Sequence, residues 1–217
     1  MDRLLIEDLK IWKDKSDRKP LILRGARQVG KTWLLKDFGE KCFKDICYVN
    51  FEQKDMLGKI FEGTLSPQRI IEQLSVFHGK KIQPQETLLI FDEVQELPRA
   101  LTSLKYFAEE APEYAICCAG SLLGVALHEG TSFPVGKVDF LDLYPLSFRE
   151  FLMANDEQML VDYIMSGNRD LRVFEEKLID YLKKYFIIGG MPAAILKWLD
   201  THDFFEVDDV QKQILSA

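Results

Sequence analysis

The stretch LRGARQVGKTWLL, Leu23 to Leu35, holds four residues between Gly25 and the triplet Gly30-Lys31-Thr32. That is the eight-position spacing of a phosphate-binding loop, met without a departure. Its context fits. Pro20-Leu21-Ile22-Leu23 is a short apolar run bounded by Pro and Gly, which reads as a buried strand, and Thr32 to Phe38 reads as a helix. Glycines let backbone N–H groups converge on phosphate oxygens. The following helix adds its N-terminal donors and dipole. In such a loop Lys31 reaches the β- and γ-phosphates and Thr32 brings its hydroxyl to Mg²⁺. The expected nucleotide contacts are Gly25, Ala26, Arg27, Gln28, Val29, Gly30, Lys31, Thr32 and Trp33. Arg24 and Arg27 flank and enter the loop, and the pattern leaves open whether they touch phosphate or face solvent. The bland alternative is a glycine turn that happens to contain Lys-Thr.

Working outward, a metal bound at Thr32 needs a carboxylate. LLIFDEVQ supplies one: Leu88 to Phe91 bury a strand, and Asp92 emerges at its carboxyl end. Ligands of open α/β sheets bind at that end, so Asp92 is the expected partner of Thr32 on Mg²⁺. Glu93, directly after it, can polarise an attacking water as general base. An acidic strand end that merely caps the next turn is the plainer reading of the same two residues. Arg99, after Pro98, reads first as a surface arginine at a helix start and second as a residue facing a neighbouring subunit's nucleotide, as arginine fingers do. In AICCAGSLLG, Ser121 follows the fourth apolar run. It can contact the γ-phosphate or the attacking water, or cap a short helix from Leu122; both readings stay open.

The rest of the chain sets the fold class. Strands are expected at Ile46–Phe51, Thr87–Phe91, Tyr114–Ala119 and, more weakly, Val138–Leu143. Helices are expected from Met1 to about Trp12, from Ser66-Pro67 to about Phe77, and from Pro98 to about Glu110, with Ser and Pro as start signals. Alternating strands and helices with short apolar strands predict a parallel sheet covered on both faces. After Pro145 only helical periodicity remains, with breaks at Asn155, Gly167-Asn168 and Gly189-Gly190. Phe148, Phe151 and Leu152 form an apolar face, with Arg149 and Glu150 turned away from it. The layout is an α/β core over 1–145 and an all-helical part over 146–217. Asp203–Ala217 is amphipathic and stops without a cap, which reads as a chain that continues into something longer.

Composition narrows the function class. The 217 residues are 47% hydrophobic and 29% charged, with a net charge of -7. That balance is globular and lacks the overall basic signature of a nucleic-acid binder. A local basic cluster, Lys10, Lys13, Lys15, Arg18 and Lys19, reads first as a solvated helix end and second as a phosphate-backbone contact. Cys42, Cys47, Cys117 and Cys118 form no CxxC pair, and no histidines stand at zinc spacing. No run approaches the roughly 18–20 apolar residues of a membrane span, and no apolar signal segment opens the chain. The expectation is a reduced, cytoplasmic protein away from the membrane.

Together, LILRGARQVGKTWLL, LLIFDEVQELP, CCAGSLLG, LYPLSFREFL and IIGGMPAAI resemble a family of prokaryotic AAA-type P-loop ATPases, the bacterial and archaeal "ATP-binding proteins". The resemblance spans Leu21 to about Ile195. It implies a P-loop NTPase sheet of the additional-strand, catalytic-glutamate type. It implies ATP and Mg²⁺ as cofactors, with ATP on Gly25, Gly30, Lys31 and Thr32, and metal and base roles on Asp92 and Glu93. It also implies a sensor role on Ser121, where AAA proteins more commonly carry asparagine or threonine. Members often continue into a second C-terminal domain, which these residues do not include. The implied partners are therefore ATP and ADP, a second copy of the chain, and a protein or DNA reached through that domain. Three activities follow: an ATPase that drives or gates a partner, a nucleotide-dependent switch with little turnover, and a small-molecule phosphotransferase. The third lacks an evident arginine-bearing lid beyond Arg169 and Arg172, and Glu93 favours water as acceptor.

Overall fold

Five short strands form one parallel sheet in a computed structural model, which describes residues 1–52, 54–120, 136–167 and 171–216. The chain divides into two compact units, Leu5–Leu143 and Met1–Leu4 with Tyr144–Ala217.

In the first unit the elements alternate: α1 (Ile6–Asp14), β1 (Leu21–Arg24), α2 (Lys31–Cys42), β2 (Asp45–Asn50), α3 (Lys54–Glu62), α4 (Pro67–His78), β3 (Thr87–Asp92), α5 (Pro98–Glu110), β4 (Ala115–Ala119) and β5 (Asp139–Asp142). The spatial order is β2-β3-β4-β1-β5, every neighbouring pair parallel. So β4 lies between the strand that feeds the phosphate loop and the strand that ends in Asp92. This is the additional-strand arrangement that the resemblance implies. β3 and β4 are buried along their whole length, whereas β2, at the sheet edge, buries only Cys47 and Val49.

Because side chains alternate across a strand, each strand feeds two cores. Ile22, Leu89, Phe91, Ile116 and Cys118 pack with α3, α4 and α5 on one face. Leu21, Leu23, Leu88, Ile90 and Cys117 pack with α1 and α2 on the other. Each buried aliphatic contributes roughly 1.5–3 kcal/mol, so a central strand anchors its loop firmly. Cys117 and Cys118 face opposite cores, and all four thiols are free.

Three local expectations are corrected. The first helix starts at Ile6, not Met1. Arg3 instead lies against Glu150, and the Leu4 N–H donates to the same carboxylate. A helix covers Lys54–Glu62, where no element was expected; it buries Leu57, Ile60 and Phe61 in the first core. Glu150 is buried rather than turned outward.

The second unit is helical: α6 (Phe148–Ala154), α7 (Gln158–Met165), α8 (Glu175–Ile188), α9 (Pro192–Thr201) and α10 (Phe204–Ser216). Ser147 and Glu150 form a reciprocal capping box at the start of α6. α8 ends at Gly189 with φ +74°, and Pro192 opens α9. The two stretches LYPLSFREFL and IIGGMPAAI meet here. The Leu146 N–H donates to the Gly190 carbonyl at 2.7 Å, and the Tyr185 hydroxyl donates to the Leu146 carbonyl at 2.7 Å.

Candidate functional site

The loop between β1 and α2 is fixed at both ends. Arg24 closes β1 with a forked pair on Asp142, at 2.8 and 2.7 Å, so its guanidinium is committed to β5. Gly25 faces the Leu143 carbonyl so closely that a Cβ would come within 2.3 Å of it. Val29 is fully buried and pins the far side of the loop in the core. Gln28 and Gly30 take left-handed φ values of +60° and +96°. Left-handed residues of this kind turn successive N–H groups toward one concavity.

Lys31, the first residue of α2, is 7% exposed. Its Nζ donates to the carbonyls of Gly25 at 2.9 Å and Ala26 at 2.7 Å. Burial lowers its pKa, while Glu93 and Asp92 pull in the opposite direction. The ammonium spans the loop and spends its donors on weak neutral acceptors. A phosphate oxygen in the concavity would be a stronger one.

Across β4, the Thr32 hydroxyl donates to Asp92 Oδ2 at 2.9 Å. Asp92 is 4% exposed, and the backbone N–H of Glu93 donates to its Oδ1 at 3.1 Å. A third donor was not foreseen: the Tyr48 hydroxyl, from β2, donates to Oδ2 at 2.7 Å. Burial and this carboxylate both push the phenol's pKa up, which keeps it a donor. Hydroxyl and carboxylate oxygens are the hard donors Mg²⁺ takes, and Mg²⁺ uses one or two protein oxygens plus phosphate and water. Among the described residues no cluster of three His, Cys, Asp or Glu could cage a metal alone. The residues present therefore fit a cation held jointly with a phosphate.

Glu93 sits at φ +50°, a left-handed kink immediately after the strand. Its carboxylate accepts the side-chain amide of Gln95, whose own Oε1 is buried without a hydrogen-bond partner. Thr32, Lys31, Arg27, Trp33 and Glu93 line one cleft of about 610 Å³, together with Glu52, Gln95 and Glu96. The arrangement can cradle a polyphosphate, hold a divalent cation and present a carboxylate beside them. Glu52, Gln95 and Tyr48 were missed. The available signal was positional, since Glu52 stands two residues after the end of β2 and Gln95 three after the end of β3.

Ser121 and Arg169 lie outside the described residues. Arg99 donates to the carbonyls of Phe61 and Gly63, tying α5 to the α3–α4 turn. Arg149 and Arg172 belong to the helical unit. A larger cleft, about 840 Å³, lies at the amino-terminal edge of the sheet and collects Lys13, Lys15, Arg18, Lys19 and Lys137. Their charges are already engaged: Arg18 on the carbonyls of Lys13, Pro112 and Glu113, Lys19 on that of Gly136, Lys137 on Glu109. The smaller cleft is the one with chemistry.

A family model described as an AAA domain matches residues 17–152, well over half of the chain. The chain belongs to this AAA family. No protein of curated function matches it. Among solved structures, this AAA protein is similar to a chain of Drosophila ORC bound to DNA, with a TM-score of 0.53 and 16% identity over 97% of this chain and 64% of that one. It is also similar to C. elegans PCH-2, with a TM-score of 0.51 and 15% identity over 97% of this chain and 66% of that one. At these identities the likeness is one of fold, and the chain spans less than two thirds of either. The fold, the phosphate-loop sequence and the family together mark a nucleotide-binding AAA-type ATPase domain. No helix among the described residues is long and apolar enough to cross a membrane.

Proposed function

We propose that this AAA protein is a Mg²⁺-dependent ATPase whose hydrolysis drives or gates a partner interaction. The observation that carries the reading is the Thr32–Asp92 hydrogen bond, 2.9 Å long and made across an intervening strand, with Glu93 next in sequence. A glycine turn with an incidental Lys-Thr has no reason to meet a buried carboxylate there.

In this reading the backbone N–H groups from Gly25 to Gly30 surround the β- and γ-phosphates. Arg27 and Trp33 flank them at the cleft wall. Lys31 leaves the carbonyls of Gly25 and Ala26 and stabilises charge that develops on the γ-phosphoryl oxygens. Thr32 and Asp92 would hold Mg²⁺, which supplies neutralisation of the bridging phosphate charge. Glu93 takes a proton from a water as the water oxygen bonds to the γ-phosphorus. The bond from that phosphorus to the bridging oxygen breaks, and ADP leaves with the electron pair. Ser121, two residues beyond β4, is assigned a contact to the γ-phosphate or the attacking water. No arginine of this chain is assigned as a finger. Without one supplied in trans, turnover is slow, because such a residue is worth about 10³–10⁵-fold.

Glu93→Gln tests this directly. Hydrolysis should fall to background while ATP binding holds; unchanged turnover would refute the base assignment. Running the native protein over a range of concentrations, with and without DNA, tests self-association and DNA as activators. The DNA arm is motivated by the DNA-bound ORC structure, and the net charge of -7 weighs against it.

A second reading is a nucleotide-dependent switch with little turnover. The Gln95 amide on Glu93 Oε2 favours it, since a hydrogen bond donated to a carboxylate makes it a weaker base. Tight retention of nucleotide, with partner binding that differs between ATP and ADP, would select this reading.

A further inference from the structure

We propose that Tyr48 is a positioning residue for the cation site: its hydroxyl fixes the Asp92 carboxylate in the orientation that serves Mg²⁺. The proposal rests on the reading of Asp92 given above. Tyr48 stands in the middle of β2, in register with Ile90, and its side chain runs along the sheet to a carboxylate two residues further on. An ionised carboxylate only accepts hydrogen bonds, so the phenol is the donor. The ring is held independently. It packs against the α1–α2 core, and the Lys36 Nζ sits 3.8 Å from its centroid.

The geometry separates two kinds of restraint on Asp92. Thr32 and Tyr48 both donate to Oδ2, while the Glu93 N–H takes Oδ1. The Thr32 oxygen is the group the cation would use, so its bond to Asp92 readjusts when the cation arrives. The Tyr48 hydroxyl is not one of the groups the cation would use, and its ring is anchored away from the cleft. It is the restraint that stays while the other side-chain partner changes role. Groups in this position orient metal ligands, and their loss typically costs 10–100-fold in metal affinity or activity. Packing alone would be served as well by phenylalanine, so the hydroxyl is what needs explaining.

The test is Tyr48→Phe in the whole chain, which keeps the ring, the core contacts and the Lys36 stacking. Binding of a fluorescent ATP analogue is titrated with Mg²⁺, and Mn²⁺ binding in the presence of ATP is followed by electron paramagnetic resonance. The expected result is a rise of about 10-fold in the half-saturating cation concentration by both methods. Nucleotide binding in excess EDTA and the thermal midpoint should stay at native values. An unmoved cation titration overturns the proposal. So does an equal loss of binding in EDTA, which would make the hydroxyl a general structural element. Asp92→Asn is run beside it. If that variant shifts the cation titration and Tyr48→Phe does not, the Tyr48 proposal alone fails. If neither shifts it, the reading of Asp92 as the cation's carboxylate fails and the proposal goes with it.

Discussion

The carbonyl oxygen of Leu143 lies where a side chain on residue 25 would begin: a Cβ added to Gly25 would be 2.3 Å from it and 3.1 Å from Val29 Cγ1. The carbonyl cannot retreat cheaply, because the Leu143 N–H donates to the Arg24 carbonyl at 2.7 Å and Leu143 is buried in the core. One glycine therefore serves both the phosphate loop and the packing of the chain as it leaves β5. Gly25→Ala should lose about 1–3 kcal/mol of stability, the usual cost of forcing atoms into a packed site. It should also weaken ATP binding at least tenfold, since relief of the clash displaces the loop. Thermal unfolding with and without MgATP measures both. A variant with native stability and native stabilisation by MgATP would contradict the account.

Magnesium removal should matter more here than the loop alone would imply. Glu52, Glu93 and Glu96 line the cleft against only Arg27 and Lys31, and Lys31 is already engaged with carbonyls. A polyphosphate entering without a cation meets repulsion from these carboxylates, of which Glu93 is half-buried and Glu52 and Glu96 are exposed. We expect chelation by EDTA to lower ATP affinity by about tenfold or more, and ADP affinity by less. Calorimetric titration in the two conditions decides it; equal affinity for ATP with and without Mg²⁺ would mean the acidic wall is electrostatically silent.

How much of this was legible depends on the distance over which each feature is decided. The strand–loop–helix around Gly25 to Thr32 and the strand that ends at Asp92-Glu93 are local, and their residue types carry them. The insertion of β4 between β1 and β3 is a matter of long-range pairing, for which sequence order has no marker. Tyr48 looked like an ordinary strand residue because its purpose is to reach Asp92 on the neighbouring strand. Glu150 read as an outward residue on an amphipathic helix because the partner that buries it, Arg3, is 147 positions away. The helix Lys54–Glu62 is short, and its apolar positions make sense only against the core formed by Phe51 and Phe91.

Gly190 presents the same problem in the helical unit that Gly25 presents in the other. A Cβ there would fall 2.4 Å from the Leu146 carbonyl and 3.0 Å from the Leu146 nitrogen and Pro145 Cβ. Leu146 is fully buried and hydrogen-bonded through both its N–H and its carbonyl. Gly190→Ala should destabilise the helical unit by about 1–3 kcal/mol. Gly189→Ala meets no neighbouring atom, but its φ of +74° with ψ of -172° lies in a backbone region essentially reserved for glycine, a cost of about 1–3 kcal/mol. Urea unfolding followed by circular dichroism should show both variants destabilised, Gly190→Ala through close approach to Leu146 and Gly189→Ala through backbone strain; a native midpoint for either variant would overturn the account given for that glycine.

Arg3 and Glu150, each 6% exposed, form an ion pair at 3.0 Å that fastens the first residues of the chain to the helical unit. Burial pushes the Glu150 carboxyl up. The N–H groups of Ser147 and Leu4 and the Arg3 guanidinium outweigh it, leaving the pKa below its usual 4.5. A carboxyl whose folded value is depressed contributes stability that is fully present above the unfolded value and is lost as pH falls through the folded one. Glu150→Gln removes the charge of a buried carboxylate that a guanidinium faces, a change that costs about 3–5 kcal/mol in such pairs. The deficit should be constant from pH 7 to about 5, then shrink as the native carboxyl itself protonates. Urea unfolding of the native and variant chains at successive pH values gives that difference directly. A deficit that persists unchanged through the acid range would mean that the loss comes from packing or from the capping box at Ser147 rather than from the charge on Glu150.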